Sequence, residues 1–188
     1  SGLPEDSVQL IEDTSRETTK EFMELKGYLD VLIPRGGASL INAVKDNAKV
    51  PVIETGVGNC HLYIDKEADI NMAVEIAYNA KTSRPSVCNA IETLLVHEDI
   101  AKKTRRWIKE KHEEKAVIIR GDVKTEEMIE CEKAAPEDGY EGYVDYIMAV
   151  KVVRSIDDAI VHSQECCTGE SEAIITNDLR SADEFINR

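Results

Sequence analysis

The spacing of apolar and polar residues changes period several times along the chain, and each change marks an expected element. Residues 7–12 (SVQLIE) alternate as a short strand does. Thr14-x-x-Glu17 has the spacing of a capping box that opens a helix, and Gly27 stands where such a helix would end. Residues 29–33 (LDVLI) form a run suited to a buried strand, followed by Pro34-Arg35-Gly36-Gly37. A second helix is expected over residues 38–48, with Leu40, Val44 and Ala48 on one face at spacing four, and residues 50–53 supply the next strand. Strand, helix, strand, helix, strand with short connections is the pattern of a parallel α/β sheet.

A second lobe is expected from about residue 50. Residues 60–65 (CHLYID) alternate like a strand, and Ile70, Ala73, Val74 and Ala77 form a helical apolar stripe that runs out at Ala80. A β-type run follows at 92–97, then a charged amphipathic helix over 99–114 whose apolar positions are Ile100, Trp107 and Ile108. Trp107 is expected there as a core anchor. Beyond it come a strand at 116–119, a short helix at 125–130 and a loop at 133–142 (KAAPEDGYEG). Residues 146–153 (YIMAVKVV) are the strongest buried-strand signal, followed by a helix at 155–166, a strand at 173–176 and a last helix. The fold class read from this order is α/β, divided into residues 1–50 and 51–188.

Composition narrows the class of partner. The 188 residues are 42% hydrophobic and 32% charged, as in a soluble globular protein. A net charge of −14 argues against a nucleic-acid backbone or an anionic membrane as partner. No apolar run approaches the roughly 20 residues of a membrane-spanning helix, and the polar opening SGLPEDSVQ lacks the apolar core of a signal peptide. Cys60, Cys88, Cys131, Cys166 and Cys167 are odd in number and without CxxC spacing. That fits neither a disulfide framework nor a zinc site, and points to a reducing, cytoplasmic setting. The adjacent pair Cys166-Cys167 reads as two thiols near a helix end. His61, His97, His112 and His162 show no HxxxH or HExxH spacing, so no metal is expected.

Candidate chemistry gathers in residues 81–97, KTSRPSVCNAIETLLVH. Ser83, Arg84, Pro85 and Ser86 interrupt regular structure between a helix and a strand. Cys88 in this loop is either a nucleophile or a small buried apolar residue, since thiol acidity depends on neighbours that the fold supplies. Lys81 and Arg84 are its nearest cations in sequence. The backbone amides of Cys88 and Asn89, with the Asn89 side chain, are candidate oxyanion donors. Arg84 has the planar fork that holds two phosphate oxygens, or is a plain surface arginine. The Gly36-Gly37 turn before a helix can hold a nucleotide phosphate or simply make the turn. A cysteine–histidine dyad is the enzymatic alternative from another class, and nothing beside the four histidines favours it.

RPSVCNAIETLLVH, preceded by IPRGGASLI and VPVIETGVGNCHLYID, resembles the γ-glutamyl phosphate reductase family of the aldehyde dehydrogenase superfamily. The likeness runs from SGLPEDSVQLIEDTSRE to TGESEAIITND, with the blocks in the family's order. It implies an aldehyde dehydrogenase-like fold, with residues 1–50 from the nucleotide-binding domain and 51–188 from the catalytic domain. It implies NADPH-dependent reduction of γ-glutamyl phosphate to glutamate 5-semialdehyde in proline synthesis, through a thioester on Cys88. Arg84 is then the phosphate contact, and Arg35, Gly36 and Gly37 lie near the cofactor. Glu54 matches a glutamate that hydrolytic relatives use to activate water; here it tunes the pocket or is a strand-end carboxylate. Gly36-Gly37, Glu54 and Cys88 are expected to converge in a cleft between the lobes. A small-molecule substrate and a homo-oligomer when intact follow from the same resemblance, with no nucleic-acid or membrane partner.

Two positions depart from the family pattern: Glu170 where a histidine is frequent, and Gly142 where a glutamate usually precedes the aromatic Tyr143. Ser1-Gly2-Leu3-Pro4 reads like an internal segment, and the family's NASTRFTDG block would follow Arg188. The chain is therefore expected to be an internal fragment without turnover of its own. The alternatives are another oxidoreductase of the same superfamily or a non-catalytic fragment.

Overall fold

The computed structural model describes residues 2–54 and 58–188, apart from the side chains of Ala38 and Trp107. The expected anchoring role of Trp107 thus lies outside the described residues. The chain divides into two compact units, Ser1–Gly56 and Val57–Arg188.

In the first unit, helix α1 (Arg16–Met23) starts one residue later than the capping-box spacing predicts. Ser15 is the N-cap, and its hydroxyl accepts the Thr18 N–H at 3.2 Å. Helix α2 (Ala38–Asn47) begins directly after Gly37. Met23, Leu32, Val44 and Val50 form this unit's core. The strands expected here are mostly absent. Residues 7–12 leave a single 3-10 turn (Glu5–Ser7) as extended, exposed chain, with Val8 88% and Leu10 86% accessible. Apolar alternation makes a strand only where a neighbouring strand takes its hydrogen bonds. Residues 29–33 and 50–53 share one parallel bridge, Leu32 with Val52, and Leu29 makes a second isolated bridge with Lys26. Leu32 and Val50 are buried while Val31, Ile33 and Ile53 face solvent, so these runs are covered on one side only.

The second unit holds the sheet. Strands β1 (Cys60–Ile64), β2 (Ile91–His97), β3 (Ile118–Gly121), β4 (Glu132–Lys133), β5 (Ile147–Val153) and β6 (Glu172–Ile175) are ordered β4-β3-β5-β2-β1-β6. Every pairing is parallel. The connecting helices are α3 (Ile70–Thr82), α4 (Glu98–Glu113), α5 (Val123–Glu126), α6 (Ile156–Cys166) and α7 (Leu179–Asn187). Ala73, Ala77, Ile100 and Ile108 of α3 and α4 cover one face against Leu62, Leu94, Val96 and Met148. On the opposite face Ala159 and Phe185 pack with Tyr63, Leu95 and Val153. A parallel sheet covered on both faces needs continuous apolar strands, which is why β1 and β2 are buried along their whole length.

The remaining differences from expectation lie at element ends. Strand β3 starts at Ile118 because Ala116, at φ 52°, closes α4 in a left-handed turn. Helix α5 stops at Glu126, four residues short of expectation. Since all strands run the same way and start in near register, the segments entering β1, β2, β5 and β6 meet at the amino-terminal edge of the sheet.

Candidate active site

Residues 83–90 join α3 to β2 at that edge. The helix cannot run on into Pro85, which disfavours helical geometry at Arg84. Two successive turns follow, closed by Val87 N–H to Arg84 O at 3.3 Å and Ala90 N–H to Val87 O at 3.1 Å. Ala90 and Ile91 are buried and return the chain to the core. Arg84, Cys88 and Asn89 are exposed on this loop, so Cys88 is not a small apolar filler. No hydrogen bond involves Asn89 among the described residues, which leaves its amide groups available to a ligand.

The underside of Cys88 is held by β1 and the residues just before it. The Cys60 thiol donates to the Cys88 carbonyl at 3.3 Å. Burial, with the nearby charges of Glu172 and Glu170, pushes the Cys60 thiol up to about 12, so it remains an S–H donor at neutral pH. Gly58 passes so close that a Cβ there would stand 1.6 Å from the Cys88 oxygen. Only glycine permits that approach. Asn59 fixes the same edge: its N–H reaches Thr168 Oγ1 at 2.9 Å, and its amide donates to Gly139 O and Cys166 O at 3.0 and 3.1 Å.

Lys81, one of the two cations nearest Cys88 in sequence, is engaged elsewhere. It is wholly buried, and its ammonium is bound to Glu92 Oε2 at 2.7 Å. Burial pushes Lys81 down and Glu92 up, while their pairing works against both shifts. The other Glu92 oxygen accepts the Val144 N–H at 3.2 Å, and Val144 sits at φ 55°. Both charged residues occupy positions with core periodicity. Lys81 continues the stripe Ala73–Ala77 by four, and Glu92 interrupts the apolar run of β2. That signal was available in the sequence. The proximity of Gly58 and Cys60 to Cys88 had none.

Each histidine has a structural partner. His61 Nδ1 engages Asn59 O, His112 Nδ1 engages Ile108 O, and His97 caps α4. His162 Nδ1 faces Lys151 Nζ at 3.1 Å, and its ring meets that of His61 at 5.3 Å. Burial pushes both His61 and His162 down to about 4, and Lys151 adds to the effect on each. Among the described residues no three His, Cys, Asp or Glu side chains are arranged to hold a metal ion.

The other candidate residues belong to the first unit. Arg35, Gly36 and Gly37 are exposed at the start of α2, where Gly37 is the N-cap and the first turn carries no acidic residue. Gly36 has φ 155°, and a Cβ there would come 2.8 Å from Leu40 Cδ2. A helix start whose first turn carries no acidic residue suits a phosphate group. Glu54 is paired with Lys45 at 2.9 Å on an exposed surface. Arg84, Cys88 and Asn89 are thus brought together in one unit, and Arg35, Gly36, Gly37 and Glu54 belong to the other.

No protein-family profile matches the chain. Over 189 aligned positions it is 56% identical to a γ-glutamyl phosphate reductase of Clostridium perfringens, covering 100% of this chain and 46% of that protein. The crystal structure of a γ-glutamyl phosphate reductase from Thermotoga maritima superposes with a TM-score of 0.92 at 46% identity, over 100% of this chain and 45% of that one. An acetylating aldehyde dehydrogenase from Geobacillus thermoglucosidasius shares the fold at TM-score 0.74 and 21% identity, covering 98% of this chain and 49% of that one. So does an engineered glycolyl-CoA reductase with bound NADP+, at TM-score 0.71 and 18% identity, over 94% of this chain and 48% of that one. The fold is aldehyde dehydrogenase-like, and the chain spans about half the length of the curated relatives it matches.

Proposed function

We infer, from a chain related to γ-glutamyl phosphate reductase along its whole length, that Cys88 is the nucleophile of an NADPH-dependent γ-glutamyl phosphate reductase. The observation that carries this reading is the exposed thiol on a loop pinned from beneath, in a sequence 56% identical to a reductase of that name. The Cys88 thiolate attacks the acyl carbon, a C–S bond forms, and the C–O bond to phosphate breaks with its electron pair leaving on inorganic phosphate. Arg84, four residues earlier on the same loop, takes the phosphate oxygens. The Asn89 amides steady the oxyanion while it exists. A nicotinamide cofactor would supply the hydride for the thioester, and Arg35, Gly36 and Gly37 ahead of α2 would hold its phosphates. Cys88 is released as thiolate when the semialdehyde leaves.

Glu54 is not assigned as a base toward water, because hydrolysis of the thioester would discard the activated acyl group before hydride could reach it. Turnover draws on the whole length of a reductase, of which these residues are about half. Five cysteines, odd in number and without CxxC spacing, support a reducing, cytoplasmic setting, and no helix among the described residues is long and apolar enough to cross a membrane. A homo-oligomer is part of the same reading.

The test is semialdehyde oxidation by the full-length protein with NADP+, with phosphate present or omitted and with Cys88→Ser alongside. Oxidation that depends on phosphate and disappears in the variant is expected. Equal rates without phosphate, when water alone can take the acyl group from the thioester, would assign the chain to a hydrolytic aldehyde dehydrogenase, and an active Cys88→Ser protein would remove Cys88 from the mechanism.

A further inference from the structure

We propose that the buried Lys81–Glu92 pair positions the nucleophile, bracing the Cys88 loop at its base and tying it to the segment that enters β5; this rests on Cys88 being the reactive thiol. Lys81 lies in the last turn of α3 and Glu92 is the second residue of β2, so the pair bridges the two feet of residues 83–90. The bridge is a 2.7 Å charge-assisted hydrogen bond with side chains 0% and 2% accessible. At that burial neither solvent nor salt weakens it appreciably.

Stability alone does not explain the pair. Removing two charges from water is costly, and apolar residues of similar volume usually serve a core as well or better. What an apolar pair lacks is direction. The Lys81–Glu92 bond ties the loop's two ends to each other through a single short, directed contact. The remaining Glu92 oxygen holds the N–H of Val144, a β-branched residue in the left-handed region at φ 55°. A strained backbone of that kind persists where its surroundings over-determine it. Asp145, next in the chain, adds its charge to the attraction on Lys81. One ion pair therefore joins the end of α3, the start of β2 and the approach to β5, all at the edge of the sheet where Cys88 stands. A shift of about 1 Å at a reacting atom can cost about a hundredfold in rate, so a brace of this stiffness bears on catalysis.

The experiment compares the full-length wild type with Lys81→Met and with the apolar pair Lys81→Met/Glu92→Leu. It reads kcat and KM for phosphate-dependent semialdehyde oxidation, the thermal midpoint, and Cys88 alkylation by mass spectrometry with Cys131 as internal control. Lys81→Met, which strands a buried carboxylate, is expected to lose stability. The apolar pair is expected to regain much of the stability lost in Lys81→Met, short of the part that the Val144 N–H draws from Glu92, yet with kcat at least tenfold lower than wild type and KM within threefold. Its Cys88 alkylation should change at least threefold while that of Cys131 stays constant. Wild-type kcat and wild-type Cys88 alkylation in the folded apolar pair would show that Lys81 and Glu92 only pack, and would overturn the proposal. Should that variant fail to fold, Lys81→Met/Glu92→Gln carries the same comparison, because it keeps an acceptor for Val144 and removes the charged bond across the loop. Cys88→Ser separates the two levels: an active Cys88→Ser protein defeats the underlying reading, whereas an inactive one beside a fully active apolar pair defeats the positioning role alone.

Discussion

Gly58→Ala tests most directly how the cysteine loop is seated. The added Cβ would lie 1.6 Å from the Cys88 oxygen, 2.5 Å from its carbonyl carbon and 2.9 Å from its Cα. Ordinary carbon–oxygen contact begins near 3.4 Å, so the two backbones must separate by roughly 1.8 Å. Neither side can yield by rotating a side chain, because every atom met belongs to main chain. The Cys88 carbonyl would also be drawn away from the Cys60 thiol that donates to it. Overpacking costs about 1–3 kcal/mol, and backbone against backbone belongs at the upper end of that range. A nucleophile displaced by more than 1 Å is expected to lose about a hundredfold in kcat. The assay is turnover of full-length Gly58→Ala, with Cys88 and Cys131 alkylation measured on the same sample. Cys60→Ser serves as the control: it keeps a donor to the Cys88 carbonyl and is expected to stay within about threefold of wild type. A folded Gly58→Ala protein with wild-type stability, turnover and Cys88 alkylation would refute the seating described here.

Three further outcomes follow from the packing and the buried charges. Asp138 accepts hydrogen bonds from Tyr143 Oη at 2.6 Å, the Ala135 N–H at 2.7 Å and Arg120 at 2.8 Å. Burial works to raise it, but these bonds together hold its carboxyl below the usual range. Asp138→Ala is therefore expected to cost about 2–4 kcal/mol by urea denaturation at pH 7. That contribution should fade as pH falls through the carboxyl's depressed pKa, with wild type and variant converging in acid. His61, pushed down to about 4 by burial, stays neutral when folded but takes a proton near pH 6.5 when unfolded. Stability should accordingly fall as pH drops from 6.5 toward 4, by about 3 kcal/mol at most from this group, and His61→Gln should flatten the slope by about one proton; an unchanged slope would reject the assignment. Leu94, wholly buried at the centre of the sheet, should cost about 2–5 kcal/mol as Leu94→Ala, read from the same urea transitions.

Much of the second unit was legible in the sequence because burial on both faces of a parallel sheet leaves a one-dimensional trace. The runs CHLYI, IETLLVH and YIMAVKVV became β1, β2 and β5 within one residue of expectation, and the stripe Ile70–Ala77 became the inner face of α3. The same rule failed in residues 7–12, 29–33 and 50–53. There the runs at 29–33 and 50–53 met each other in a single bridge and residues 7–12 formed no strand, and pairing is a property of the partner as much as of the segment. Cys88 and Arg84 could be singled out from a local motif, since loop chemistry and resemblance are both written in adjacent residues. What surrounds them could not. Gly58 meets Cys88 across thirty positions of chain, and Glu92 reaches Val144 across fifty-two. Sequence determined which segments would be buried and which thiol would stand in a loop. Tertiary structure decided that Lys81 faces Glu92 instead of the thiol, and that glycine and a buried S–H seat the cysteine, because such contacts exist only once parallel strands bring distant segments to one edge.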